Sequence, residues 1–319
     1  MNDRTALVTG ASGVIGSLVV PALLAKGWQV KVLTRSRDRL DPAWRDQVSV
    51  VEGDAGDAAA VRDALAGVDV AYYLVHSMAG HSDYSSRDRQ IVQTFADIAA
   101  TSPTLRRIVY LSGLHPGGVE LSEHMASRVE TGEILLGTGV PTAVLQAGVV
   151  LGAGSASFEM LRHLTERLPA MIGPKWLRNR IQPIDIADAV HYLVAAAELP
   201  PEVSRSFDIG MDEVLQYAEM IQRYARVAGL PKRPIITVPV LTPRLASHWV
   251  GLVTPVPSSV AKPLVGSLIH EAVRGDDDLD KWLPEPPGGT TSFDEAVLRA
   301  LDEVDPRRWQ RSLARVAVQ

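Results

Sequence analysis

Thr9-Gly10-Ala11-Ser12-Gly13-Val14-Ile15-Gly16 lies between an apolar run, Ala6-Leu7-Val8, and a second one of helical character, Leu18-Val19-Val20-Pro21-Ala22-Leu23-Leu24. Strand, glycine turn and helix in that order constrain the chain more than any other stretch, because this is the context in which a glycine pattern marks a dinucleotide site. Gly10 permits the tight turn, Gly13 lets backbone N–H groups approach a pyrophosphate, and Gly16 lets the helix pack close to the strand. The helix N-terminus, entered through Ser12, Val14 and Ile15, offers unpaired N–H groups and a favourable dipole to an anion.

The chain of 319 residues is 46% hydrophobic and 22% charged, enough for one large domain or two. Its net charge is −5. The one basic cluster, Arg307-Arg308-Trp309-Gln310-Arg311, is no basic stripe, so a nucleic-acid partner is not expected. The absence of cysteine removes disulfides, thiolate catalysis and cysteine-ligated metals. It fits a reducing cytoplasm, which is the expected location. A strand within the first few residues leaves no room for a signal peptide. No apolar run reaches the roughly 18 residues of a spanning helix.

Short apolar runs alternate with longer amphipathic segments. The reading predicts strands at 5–9, 29–35, 48–54, 68–75, 107–112 and 142–150, and helices at 14–26, 58–66, 85–100 and 122–136. That rhythm implies an α/β protein with a doubly wound parallel sheet, buried on both faces. After Leu151 the pattern loosens. Helices are expected at 157–168, 186–197 and 215–228, strand-like runs at 206–209 and 234–240, and an irregular crossover at 169–184. The expected organisation is a nucleotide-binding domain over 1–150 and a smaller substrate lobe over 151–319, with parts returning to the first domain.

The second strand ends in Thr34-Arg35-Ser36-Arg37, with no carboxylate before Asp38. An NAD site often carries an acid there to bond the ribose 2′-hydroxyl. Arg35, assisted by Arg37, instead suits a 2′-phosphate, so NADP is expected, with NAD possible. Asp54 ends the third strand as an acceptor for the adenine amino group or as a helix N-cap, with Ala55 packing on the ring. Leu74, Val75 and His76 end the fourth strand beside the bridging riboses.

The glycine loop, Arg35, Gly53-Asp54, Tyr110-Leu111-Ser112-Gly113 and Ala147-Gly148-Val149-Val150 together resemble the short-chain dehydrogenase/reductase superfamily, in its atypical NmrA-like branch. Tyr73-Leu74-Val75-His76-Ser77-Met78, Gly154-Ser155-Ala156-Ser157-Phe158-Glu159 and Arg180-Ile181-Gln182-Pro183-Ile184 are similar to a bacterial group of NAD(P)-binding oxidoreductases. The resemblance spans residues 4–275. It implies a Rossmann fold and cofactor contacts from Ala147, Gly148 and Val149. The family's Tyr-x-x-x-Lys pair, on the helix after the fifth strand, puts both side chains on one face. No lysine here follows a tyrosine in that register. His124 and Arg128 stand in the two positions.

Arg128 is therefore the candidate for the nicotinamide ribose, and His124 for the proton donor, since histidine titrates near ~6.5. The competing reading makes His124 a surface residue near a helix start and the redox catalysis lost or unusual. Ser112 matches the family's serine, placed to hold a carbonyl oxygen. His76 is a second candidate acid or base, and Tyr84, His115 and Glu159 are further candidates to line a cleft. The histidines lack zinc-motif spacing, and Ser112 lacks the Gly-x-Ser-x-Gly elbow.

The proline-broken apolar tract 240–269 reads as a lid, a dimer surface or a membrane-surface segment. These features together imply an NADP-dependent oxidoreductase. It would move hydride to or from a small apolar carbonyl, quinone or enone, and a homodimer is compatible with the sequence. A non-catalytic NADP(H)-binding redox sensor or assembly factor is the alternative. A redox-neutral epimerase or dehydratase is the third.

Overall fold

A computed structural model describes residues 4–75, 84–238, 265–266, 268–275 and 278–304. The chain divides into two units, Met1–Ala147 with Asp188–Ile209 and Arg274–Gly288, and Gly148–Ala187 with Gly210–Val273 and Gly289–Gln319.

The first unit is built on a seven-stranded sheet: β1 (Thr5–Thr9), β2 (Gln29–Thr34), β3 (Ser49–Glu52), β4 (Val70–Tyr73), β5 (Arg107–Gly113), β6 (Thr142–Ala147) and β11 (Arg205–Ile209). Spatial order is β11-β6-β5-β4-β1-β2-β3, and every pairing is parallel. The strands are near-continuous apolar runs because helices cover both faces. The helices are α1 (Val14–Ala25), α2 (Ala58–Leu65), α3 (Tyr84–Ala99) and α4 (Glu123–Leu136). Val61, Leu65, Val92, Phe95 and Leu135 from α2, α3 and α4 pack with Leu7, Ile108 and Val144 in one buried cluster.

Strand order reverses between β1 and β4, and ligands of such sheets bind outside the strands' carboxyl ends at that point. Thr9, fully buried, ties the two strands there. Its hydroxyl donates to the Tyr72 carbonyl at 3.0 Å and accepts from the Leu74 N–H at 3.0 Å. At the other end of the sheet the buried Arg107 guanidinium donates to the carbonyls of Val203, Leu199 and Pro200 at 2.7–2.9 Å. Those bonds hold the segment that leads into β11.

The second unit contains β7 (Val150–Leu151), α5 (Ala156–Arg167), β8 (Met171–Pro174), β9 (Arg180–Ile181), β10 (Ile184–Asp185), β12 (Leu215–Gln216), α7 (Tyr217–Val227), β13 (Ile235–Val238) and α8 (Phe293–Val304). α6 (Ile186–Ala195) leads out of it into the first unit. β7 pairs with β10, β9 with β12 and β8 with β13. Phe158 of α5 packs against Tyr224 of α7, with ring centroids 6.1 Å apart. Arg223 of α7 lies over the Phe293 ring and bonds both Glu213 and Asp294, which fastens α8 to α7.

Four expectations change. The predicted strand 142–150 stops at Ala147, because Val150–Leu151 leaves the sheet to pair with β10. The strand-like run 206–209 joins the main sheet beside β6. The crossover 169–184 holds three short strands, each satisfied by a partner distant in sequence. The helix predicted from Leu215 begins at Tyr217, after two residues of β12. The expected apolar tract lies, up to Leu264, outside the described residues.

Replacing Thr9 with valine keeps the shape but leaves the Leu74 N–H without its acceptor in a buried site. The expected cost is about 1–3 kcal/mol, read as a lower urea midpoint at unchanged m-value. A change under about 0.5 kcal/mol would remove Thr9 as the tie between β1 and β4.

Candidate functional site

The glycine loop leaves the carboxyl end of β1 and runs directly into α1. Gly10 has φ +71°, and a Cβ there would stand 2.4 Å from the Leu74 carbonyl oxygen. The turn is thus pressed against the end of β4. A Cβ on Gly16 would lie 2.3 Å from the Gly10 carbonyl oxygen. Gly16 therefore admits the first turn of α1 onto the loop itself, rather than onto the strand as the sequence suggested. The Gly13 N–H closes the turn on Gly10 O at 2.9 Å.

Three other helix starts are capped by side chains: Asp57 for α2, Ser122 for α4 and Ser155 for α5. At α1 the N-cap is Gly13, with no side-chain bond and no acid in the first turn. The first N–H groups of a helix lack intrahelical acceptors. Ser12, Gly13 and Val14 are exposed, so this helix start is open to a ligand, with the Gly13 N–H already taken by Gly10. The loop fits a dinucleotide pyrophosphate.

Arg35 follows β2, exposed. Arg37 is drawn the other way: its guanidinium pairs with Asp46 at 2.7 Å and its N–H bonds Glu52 at 2.7 Å. Asp54 accepts from the Gly56 N–H at 2.9 Å, and the N-cap of α2 is Asp57, which removes the capping alternative for Asp54. Ala55 and Val75 are partly buried against the central cluster. His76, with Ser77 and Met78, lies outside the described residues, as does the side chain of Tyr84.

The second group sits at the carboxyl end of β5. Ser112 is 2% exposed and His124 5% exposed. Burial corrects the reading of His124 as a surface residue. Arg128 donates from Nη2 to the Leu111 carbonyl at 2.6 Å. Its backbone carbonyl accepts from Tyr110 OH at 3.3 Å and from Ser112 Oγ at 3.4 Å. Among the described residues Arg128 Nε is buried with no partner. A ribose hydroxyl is an acceptor of the right chemistry for that donor.

Burial pushes the Tyr110 hydroxyl up. The Arg128 charge and hydrogen bonds from Ser112 and Thr131 pull it down, and Asp88 adds to the rise. Tyr73, against Tyr110 with centroids 6.1 Å apart, is pushed far up by burial, then by Tyr110 and Asp88. Both phenols stay protonated at neutral pH. Tyr110 works as a brace for the Arg128 backbone.

Sequence reasoning missed Thr9 and Tyr110. Thr9 carried one signal, a polar residue closing an otherwise apolar strand. Tyr110 carried none, since its partner is a backbone carbonyl of a later helix. Ala147 ends β6 and its carbonyl accepts from the Leu114 N–H at 2.8 Å. Gly148 and Val149 begin the second unit. Also in that unit, Glu159 pairs with Arg162 and His163 along α5. His115 Nδ1 lies 3.2 Å from the Gly113 carbonyl.

Residues 10–132 match the family model of NAD(P)H-binding domains. That stretch, which carries the glycine loop, is similar to NAD(P)H-binding domains.

The chain is 28% identical over 198 residues to the ceramide reductase of Caulobacter vibrioides, which covers 60% of this chain and 61% of that protein. Over 71 residues it is 42% identical to the sterol demethylase protein B of Methylococcus capsulatus, covering 22% and 21%. The matches thus span less than two thirds of these relatives' lengths. Among solved structures, the triphenylmethane reductase of Citrobacter sp. complexed with NADP(H) matches with TM-score 0.68 at 21% identity, over 93% of this chain and 99% of that one. The NADPH-dependent quinone oxidoreductase of Escherichia coli matches with TM-score 0.69 at 18% identity, over 92% and 98%. A nucleoside-diphosphate-sugar epimerase of Staphylococcus aureus matches with TM-score 0.73 at 13% identity, over 92% and 100%. These structures share the fold. The match to NAD(P)H-binding domains covers residues 10–132, and no helix among the described residues is long and apolar enough to cross a membrane.

Gly10→Ala combines a positive φ with a clash on the Leu74 backbone. It is expected to weaken NADPH binding at least about tenfold and to lower stability. Fluorescence titration against wild type checks this, and unchanged affinity would separate the turn from the cofactor.

Proposed function

We propose that this protein is an NADPH-dependent reductase of apolar carbonyl compounds. The observation that carries the reading is Arg128. It is braced by Tyr110 and Ser112 beneath its backbone, anchored to Leu111, and left with a buried unpartnered Nε in the register where related enzymes place lysine.

Bound NADPH supplies the hydride. Uncapped N–H groups at the start of α1 hold the pyrophosphate. Arg35, exposed after β2, forms a charge-assisted bond to the 2′-phosphate. Arg128 donates to the ribose hydroxyls. The Ser112 hydroxyl, whose bond to the Arg128 carbonyl is long, turns to the substrate oxygen. His124, four residues before Arg128 on the same helix face, delivers the proton that completes the alcohol. His76 is the other candidate for that proton.

The apolar substrate class draws support from the two curated relatives, whose names refer to ceramide and sterol. The burial of His124 favours one competing reading, a non-catalytic NADPH sensor, because a side chain with so little exposed surface meets substrate only through a small opening.

Arg35→Ala is expected to weaken NADPH binding roughly tenfold or more while leaving NADH affinity unchanged. Equal affinities for NADPH and NADH in the wild type would contradict the assignment. His124→Ala is expected to lower turnover of long-chain ketones or quinones by about 100-fold or more at unchanged NADPH affinity. Full turnover in that variant, with loss in His76→Ala, would move the proton to His76. Tight NADPH binding without turnover of any ketone or quinone would favour the sensor.

A further inference from the structure

The charges of the second unit are segregated along the sequence. From Met220 to His270 there is no Asp or Glu, and from Arg167 to Ile184 there is none either. All 37 acidic residues of a chain with net charge −5 lie outside these two stretches. The stretches meet in space, because β8 belongs to one and β13 to the other, and the two strands pair in parallel.

In that ribbon Ile172 and Ile236 are register partners. Partners in a sheet project to the same side. Ile172 is 62% exposed and Ile236 is 64% exposed, more than any other exposed large hydrophobic side chain among the described residues. Ala170 and Pro234, two residues before each, are exposed as well, which extends the apolar strip. The opposite face is occupied: Met171 and Leu177 are buried.

Cations stand at both ends of the strip. Lys232 precedes β13, while Lys175 and Arg178 follow β8, and all three are exposed. Among the described residues no carboxylate pairs with any of them, whereas Arg180, Arg223 and Arg226 nearby in sequence are all paired. An apolar strip flanked by free cations and cleared of acids is the pattern of a surface that enters a lipid–water interface. Free cations near an anionic bilayer each strengthen attachment about fivefold.

We propose that the Ile172–Ile236 face docks this protein on an anionic phospholipid surface, with the isoleucines entering the headgroup region and Lys175, Arg178 and Lys232 meeting phosphates. The charge complementarity commits the face to anionic lipid rather than to a second copy of the chain, which would bring like charges together. The inference does not depend on the reductase reading.

Co-sedimentation of the full chain with phosphatidylcholine vesicles, with and without phosphatidylglycerol, tests it. The protein should partition onto the phosphatidylglycerol vesicles, and the partitioning should fall as salt rises. Ile172→Asp/Ile236→Asp should lower it about tenfold or more. Lys175→Glu/Lys232→Glu should remove the preference for phosphatidylglycerol. Retained NADPH fluorescence in each variant shows that it is folded, and failure of turnover elsewhere leaves this test intact. No partitioning onto either vesicle, partitioning unchanged in both double variants, or a vesicle-independent dimer lost in the isoleucine variant would each overturn the proposal.

Discussion

One hydroxyl sets the geometry on which the cofactor site depends. Thr9 bridges the Tyr72 carbonyl and the Leu74 N–H, so β1 and β4 end at a fixed height where the strand order reverses. Gly10 then turns against the Leu74 carbonyl at a distance no side chain tolerates. These two contacts fix the direction in which α1 departs, and with it the aim of its uncapped N–H groups. A shift at either would move every donor that the proposed site offers to a pyrophosphate. The remaining parts of the first unit, from the apolar strands to Arg107 at the far end, keep that junction in place.

The sheet was legible in the sequence because each of its first six strands is a short apolar run bounded by a turn, alternating with helices. What was not legible depends on partners remote in sequence. β6 ends at Ala147 because Val150 and Leu151 find β10 more than thirty residues on, and β8 exists because β13 pairs with it. Neither pairing leaves a periodic trace in strands of two to four residues. The return of β11 to the main sheet has the same origin, since its place beside β6 is decided by the route through α6 and by the carbonyls that Arg107 holds.

The candidate site divides in the same way. His124 and Arg128 were readable together, because a spacing of four on a helix fixes a common face. Arg35 was readable from its place after β2. The fates of Arg37 and Asp54 were not: a pairing to Asp46 and a local bond to Gly56 are decided by loop geometry, which composition does not encode. Arg128 illustrates the limit most clearly. Its position came from spacing, yet its backbone brace from Tyr110 and its anchor on Leu111 come from a strand that lies beneath the helix. A guanidinium held at one nitrogen and buried without a partner at another is a donor still lacking an acceptor, and the proposed function rests on it.

The most direct measurement is mass spectrometry of a long-chain ketone after incubation with NADPH deuterated at nicotinamide C4. The expected product is a secondary alcohol that carries one deuterium on carbon, formed by the wild type and lost in His124→Ala. Oxidised nucleotide without deuterated alcohol, or no alcohol from any such ketone despite tight NADPH binding, would contradict it.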